Sequence, residues 1–180
     1  MYKLVATFAA LASPALATGL EIDIAGQANG TVVIDLFEDV APQHVTQITT
    51  IAGNGEYNGV VFHRVIEGFM AQTGDVKFGK ADNLGRAGTG GSSLPNIPAE
   101  FSDLNFARGV VGMARSQNPN SANSQFFIMF DEGSFLNGQY TVVGEVTSGM
   151  DVVDQIKRGQ GQSGTVAGAP DVMTDVRVTE

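Results

Sequence analysis

The chain has 180 residues, 43% apolar and 16% charged, which suits one globular domain with a sizeable core and argues against disorder. Ten basic residues against nineteen acidic ones leave a net charge of −9, which argues against binding nucleic acid through a general positive field. Cysteine is absent, which removes disulfides, thiol catalysis and a lipid-anchored cysteine together.

Met1-Tyr2-Lys3 begins the chain with a small positive charge, and Leu4–Leu11 is apolar apart from Thr7. Ser13-Pro14 breaks any helix, and Ala15-Leu16-Ala17 is an A-x-A cleavage site, so residues 1–17 are expected to be a signal peptide and 18–180 the mature domain. The apolar run is too short to span a bilayer, so the expected product is exported to a periplasm or the medium without a membrane anchor.

Glu21–Gly26 alternates apolar and polar residues, Asn29-Gly30 marks a tight turn, and Thr31–Phe37 resumes the strand pattern, which predicts a hairpin. Pro42 signals a helix start, Val45, Ile48, Ile51 and Ala52 recur at helical spacing, and Asn54-Gly55 closes the helix. His44 falls on its solvent side. Val60–Val65 and Phe69–Thr73 are the next strands, separated by Glu67-Gly68. Val76–Pro98 reads as one long Gly-rich surface loop. Val110–Ala114, Gln125–Phe130 and Thr141–Val146 are further strands, Asp151–Ile156 is a short helix, Arg158–Ala169 is a second Gly-rich loop, and Val172–Val178 is a terminal strand. Many short strands with turn signals predict a closed barrel or sandwich.

Gly159-x-Gly161-x-x-Gly164 has the letters of a dinucleotide fingerprint but follows a helix instead of a strand, and Gly85–Gly91 lacks the Lys-Ser/Thr pair of a phosphate loop. With two histidines and no cysteine, a transition-metal site has almost nothing to build on, and no cofactor is expected. No G-x-S-x-G elbow supports a hydrolase triad. His63 sits in an apolar strand, where packing with hydrogen bonds is expected. Arg64 stands among residues that read as buried, so it is either ion-paired or exposed in a cleft. Met70 and Gln72 share a face of the next strand, and Gly68 offers a bend that would bring Phe69 to the same pocket.

Three blocks together resemble the cyclophilins in order and spacing: F-H-R-V-I-E-G-F-M-A-Q-T-G-D from Phe62 to Asp75, V-G-M-A-R-S-Q-N-P-N-S-A-N-S-Q-F-F-I-M-F from Val111 to Phe130, and the stretch Phe135–Val153. The resemblance covers essentially the whole chain after residue 17. It implies a mainly β fold, a closed eight-stranded antiparallel barrel capped by two α-helices with the active groove on its outer surface, and peptidyl-prolyl cis-trans isomerase activity. It further implies that Arg64 is the catalytic arginine, that Phe69, Met70, Phe127 and Leu136 wall the proline pocket, and that Gln72, Ala114, Arg115 and Gln125 hold the peptide backbone. Gln72 is counted with Arg64 as catalytic.

Phe135, Tyr140 and Arg115 stand where the commonest eukaryotic members carry Trp, His and Asn. Phe135 lacks an indole N–H, so weak binding of cyclosporin is expected, as in bacterial members. The expected partners are proline-containing polypeptides, bound by a monomer, and a proline-segment-binding holdase is the alternative to an isomerase. An acidic, broadly accepting groove is expected.

Overall fold

The computed structural model of the protein describes residues 18–80 and 84–180. The signal peptide expected over residues 1–17 lies outside them. The predicted hairpin forms as β1 (Gly19–Ala25) and β2 (Gly30–Leu36), antiparallel with Leu20 opposite Ile34 and Ile22 opposite Val32. The remaining strands are β3 (Val60–Val61), β4 (Arg64–Ile66), β5 (Met70–Thr73), β6 (Val110–Met113), β7 (Phe126–Met129), β8 (Val142–Ser148) and β9 (Val172–Thr179). Their order in the sheet is β3-β9-β1-β2-β8-β6-β7-β5-β4.

The sheet therefore has nine strands among the described residues, where the expectation was eight. The difference lies at Phe62-His63. These two residues interrupt one run of chain, so that its first part, β3, pairs with β9 and its second part, β4, pairs with β5. Because β3 and β4 are the two ends of the sheet and only two residues apart, the chain itself joins one edge to the other. Beyond β4, the second Gly-rich loop covers the exposed edge: Val65 donates to the Gly164 carbonyl at 2.7 Å, and Gly159 donates to the Val65 carbonyl at 2.8 Å. Side chains do not fit there, since a Cβ on Gly159 would stand 1.8 Å from the Gly164 oxygen.

Period-2 alternation sends Val65, Ala71, Val111, Ile128 and Val143 inward, where they join Leu20, Ile22, Val32 and Ile34 in the main core. The other faces of β5, β6 and β7 carry Met70, Val110, Phe127 and Met129 into a second apolar cluster on the outside of the sheet. Consequently β6 and β7 are buried on both faces and show no polar alternation.

Helix α1 (Pro42–Gly53) packs Val45, Ile48, Ile51 and Ala52 on the core, and the shorter α2 (Met150–Val153) adds Val152 and Val153. The predicted end of α1 is correct: Gly55 has φ +69, its N–H donates to the Ala52 carbonyl, and that of Glu56 donates to Ile51. The start falls at Pro42, as expected, but its cap comes from elsewhere in the chain. Ala41 supplies no side-chain cap, and Glu100, from a distant loop, accepts from the backbone N–H of Gln43 and of His44 at 3.1–3.2 Å. His44 is accordingly buried, not solvent-facing, with Nδ1 2.6 Å from the Glu100 carboxylate.

Burial alone would raise the Glu100 pKa, but the His44 ring and the two backbone donors outweigh it and hold the carboxyl below its ordinary value. A carboxyl depressed on folding stabilises above its unfolded pKa and loses that contribution as pH falls through the folded one. Glu100→Ala is expected to cost about 1–2 kcal/mol in urea unfolding at neutral pH. The difference from wild type should shrink in acid, below about pH 4. An unchanged urea midpoint at pH 7 would show that the cap contributes nothing.

Candidate active site

The register of β4, β5 and β7 places Arg64 opposite Gln72 and Gln72 opposite Phe127, so these three side chains share the outer face of the sheet. The turn after β4 contains Gly68 at φ +66, and this bend brings Phe69 beside Met70 as the spacing suggested. The 3-10 turn Ser134–Leu136 contributes Phe135 and Leu136 from the other side. Together they enclose a cleft of about 420 Å³ lined by Arg64, Phe69, Met70, Gln72, Ala114, Arg115, Phe127, Phe135, Leu136, Gln139 and Tyr140. Ten of the eleven residues expected at the site are in that lining. Gln125 alone is not, and it lines a second cleft of about 500 Å³ on the far side of Gln72 and Arg115.

The floor of the first cleft is aromatic. Phe127 meets Tyr140 edge-on at 6.0 Å and stacks on the buried Phe106 at 5.8 Å, while Phe69 lies 5.4 Å from Phe135 at the rim. Phe106 and Gly112 were not anticipated. Gly112 sits opposite Phe127 in the sheet, and a Cβ there would come within 2.6 Å of the Phe127 ring and 2.5 Å of Phe106. Only glycine lets the ring lie flat enough to leave the cleft open.

Arg64 is held at the cleft wall by three donations: Nε to the Ser163 carbonyl at 3.0 Å, Nη1 to Gln72 Oε1 at 3.2 Å, and Nη1 weakly to Met70 Sδ at 3.9 Å. Its Nη2 has no acceptor among the described residues. Of the two alternatives for Arg64, it takes the place in a cleft, and the Ser163 carbonyl that holds it there was not anticipated. Burial pushes the guanidinium pKa down while Tyr140 opposes, and an arginine remains cationic under that pressure. Gln72 is fixed in turn, donating to Gln125 Oε1 at 2.9 Å, and Gln125 donates to the carbonyls of Gly88 and Gly90 at 3.1 and 2.7 Å. The loop read as plain surface is thus one wall of the second cleft, tied into the first by a chain of amides.

His63 is buried beneath Gly88, and among the described residues neither ring nitrogen has a partner in hydrogen-bonding geometry, where hydrogen-bonded packing was expected. Burial lowers its pKa, with Asp75 opposing. The groove is not acidic either: among the described residues no carboxylate lines either cleft.

Nothing in this arrangement resembles a nucleophile with its base, and no group of three or more His, Asp or Glu able to hold a metal occurs among the described residues. What it offers is an apolar socket with two held arginines, Arg64 and Arg115, and a row of amides at its edge. The family model for cyclophilin-type peptidyl-prolyl cis-trans isomerases matches residues 20–179. The chain belongs to that family. A probable peptidyl-prolyl cis-trans isomerase of Brucella suis is 65% identical over 142 residues, spanning 77% of this cyclophilin and 72% of the relative. Peptidyl-prolyl cis-trans isomerase B of Escherichia coli K12 is 39% identical over 137 residues, 72% and 79% of the two chains. Among solved structures, a cyclophilin from Hirschia baltica superposes with TM-score 0.70 at 27% identity over 88% of this chain and 72% of the other. A Cryptosporidium parvum cyclophilin-type isomerase, crystallised in the presence of the dipeptide Ala-Pro, gives TM-score 0.76 at 25% identity over 90% and 99%. The protein is a peptidyl-prolyl cis-trans isomerase of mainly β, cyclophilin-like fold.

Proposed function

We propose that this cyclophilin turns X–Pro bonds by seating the proline ring against Phe69, Met70, Phe127 and Leu136 while Arg64 donates to the prolyl nitrogen as the amide twists. The observation that carries the reading is Arg64 itself, anchored through Nε and Nη1 with Nη2 left over beside an apolar cleft. Rotation is slow because it breaks amide conjugation, a barrier of roughly 18–20 kcal/mol. In the twisted state the nitrogen regains its lone pair and accepts a hydrogen bond that the planar amide cannot. A donor already fixed in place binds the transition state better than the ground state, which is the condition for catalysis. No bond in the substrate is made or broken, so the chemistry needs only residues of this kind.

The Ala-Pro dipeptide used with the Cryptosporidium relative supports a proline-containing peptide as occupant. Gln72, Gln125 and the backbone at Ala114 and Arg115 border the path between the two clefts and would restrain the flanking peptide. NMR exchange spectroscopy of an X–Pro peptide with the mature domain tests the reading. Accelerated cis–trans exchange is the expected result, and aggregation suppression without it would favour a holdase.

Phe135 offers cyclosporin an exposed ring without an N–H donor, so the inhibitor is expected to bind weakly. Inhibition of the purified domain at sub-micromolar cyclosporin would contradict this.

Export with cleavage after Ala17 is part of the same proposal. Thr18 N lies 3.0 Å from Glu38 Oε1, so the new α-ammonium would meet a carboxylate. No helix among the described residues is long and apolar enough to cross a membrane. The mature product is expected to act as a monomer.

A further inference from the structure

We propose that the substrate face selects proline segments carrying acidic residues next to the proline, and that Arg115 is the residue that reads them. The inference rests on the cleft being the proline site and adds the class of peptide it prefers.

The distribution of charge carries the argument. Of the chain's six arginines, Arg108, Arg158 and Arg177 lie away from the clefts, and each is ion-paired: to Asp154, to Glu67, and to Glu21, Asp23 and Asp175. Of the other three, Arg64 and Arg115 line the clefts and Arg86 flanks the second, and none has a carboxylate partner among the described residues. Arg64 lines the proline cleft. Arg115 lines both clefts and so stands where a bound chain passes from one to the other. Arg86 lies with its guanidinium 3.8 Å over the Phe78 ring, which also carries Lys77 at 5.1 Å. Phe78 and Lys77 pack directly against Gly90, in the wall of the second cleft. In a protein of net charge −9, the two clefts are lined by Arg64 and Arg115 and by no carboxylate among the described residues, with Lys77 and Arg86 flanking the second cleft. Asp75, the acid beneath that wall, is fully buried, and its charge is met by four backbone N–H groups.

Arg115 is suited to the task because its side chain is already ordered. Nη2 donates to the Gln139 carbonyl at 2.8 Å and Nη1 to Ser116 at 2.9 Å, while the guanidinium carbon sits 4.3 Å over the Tyr140 ring. These partners are neutral, so they fix the cation without cancelling it. A substrate carboxylate near it gains Coulombic attraction without the entropy cost of immobilising a long side chain, and a lysine there is repelled. The flanking cations add to the field that draws an acidic chain in. An asparagine at position 115 would keep the backbone contact and lose this discrimination.

The test uses NMR exchange on peptides identical but for Glu, Gln or Lys at the residues on either side of one proline. At about 0.01 M salt kcat/KM is expected to be about fivefold higher for the Glu peptide than for the Lys peptide, falling below about twofold at roughly 1 M salt. Arg115→Gln is expected to cut the low-salt Glu-to-Lys ratio by at least about half, whatever it does to the absolute rates. A Lys peptide turned over as fast as the Glu peptide at low salt overturns the proposal, as does a preference that salt leaves intact. Failure of the wild type to turn over even the Gln peptide would instead refute the proline-site reading beneath it.

Discussion

Arg64→Ala is expected to lower kcat/KM at least about 100-fold, a loss of roughly 2.7 kcal/mol of transition-state stabilisation, with little change in urea midpoint. Taking isomerisation from tens of seconds to milliseconds requires about 10⁴-fold, or roughly 5–6 kcal/mol. A charge-assisted hydrogen bond supplies roughly 1.5–3 kcal/mol, so Arg64 is the largest single contributor without being the whole effect. The rest falls to the socket, which holds the ring still and strips water from the amide. Stability should survive because Arg64 is only partly buried, and the pairing of β4 with β5 and with the Gly-rich loop runs through the backbone. Arg64→Lys is the sharper control: it keeps the charge but gives up the planar fork that binds Ser163 and Gln72 at once. Protease-coupled or NMR exchange rates for both variants decide the matter, and turnover within about fivefold of wild type for Arg64→Ala would remove Arg64 from the mechanism.

The strands were legible because alternation survives wherever one face is wet, as in β1 and β2. It is lost in β6 and β7, where the outer face is buried under Phe106, Leu136 and Tyr140, and there only the family motif located the site. The cleft residues came from that motif, since each block carries its side chains in register once the strands pair. What no local pattern could reveal is contact between distant segments. Glu100 reaches back 56 residues to cap α1 and bury His44, and Ser163 reaches 99 residues to hold Arg64. The two Gly-rich stretches read as featureless loops for the same reason. Their backbone groups act on the site, and backbone groups leave no letter in the sequence.

Asp75, the last residue of the Phe62–Asp75 motif, shows how far such backbone action extends. Its Oδ1 accepts from the N–H groups of Lys77 and Phe78, and its Oδ2 from those of Gly88 and Gly90 at 2.8 and 2.9 Å. The carbonyls of Gly88 and Gly90 hold Gln125, which holds Gln72, which holds Arg64. Asp75→Asn changes little in size but turns one acceptor into an NH₂ facing two donors, leaving at least two part-buried N–H groups without their acceptor. The expected cost is about 2–4 kcal/mol in urea unfolding. Release of the strap should also free Gln125 and loosen the chain to Arg64, lowering kcat/KM by about tenfold. Asp171 supplies the comparison: it too is a buried carboxylate holding backbone N–H groups, those of Ala28 and Lys157, but its side chain has no link to the amide chain. Asp171→Asn is expected to destabilise the fold while the folded fraction retains its turnover. If both variants lose stability and neither loses activity, Asp75 is a structural staple and the strap does not position the site.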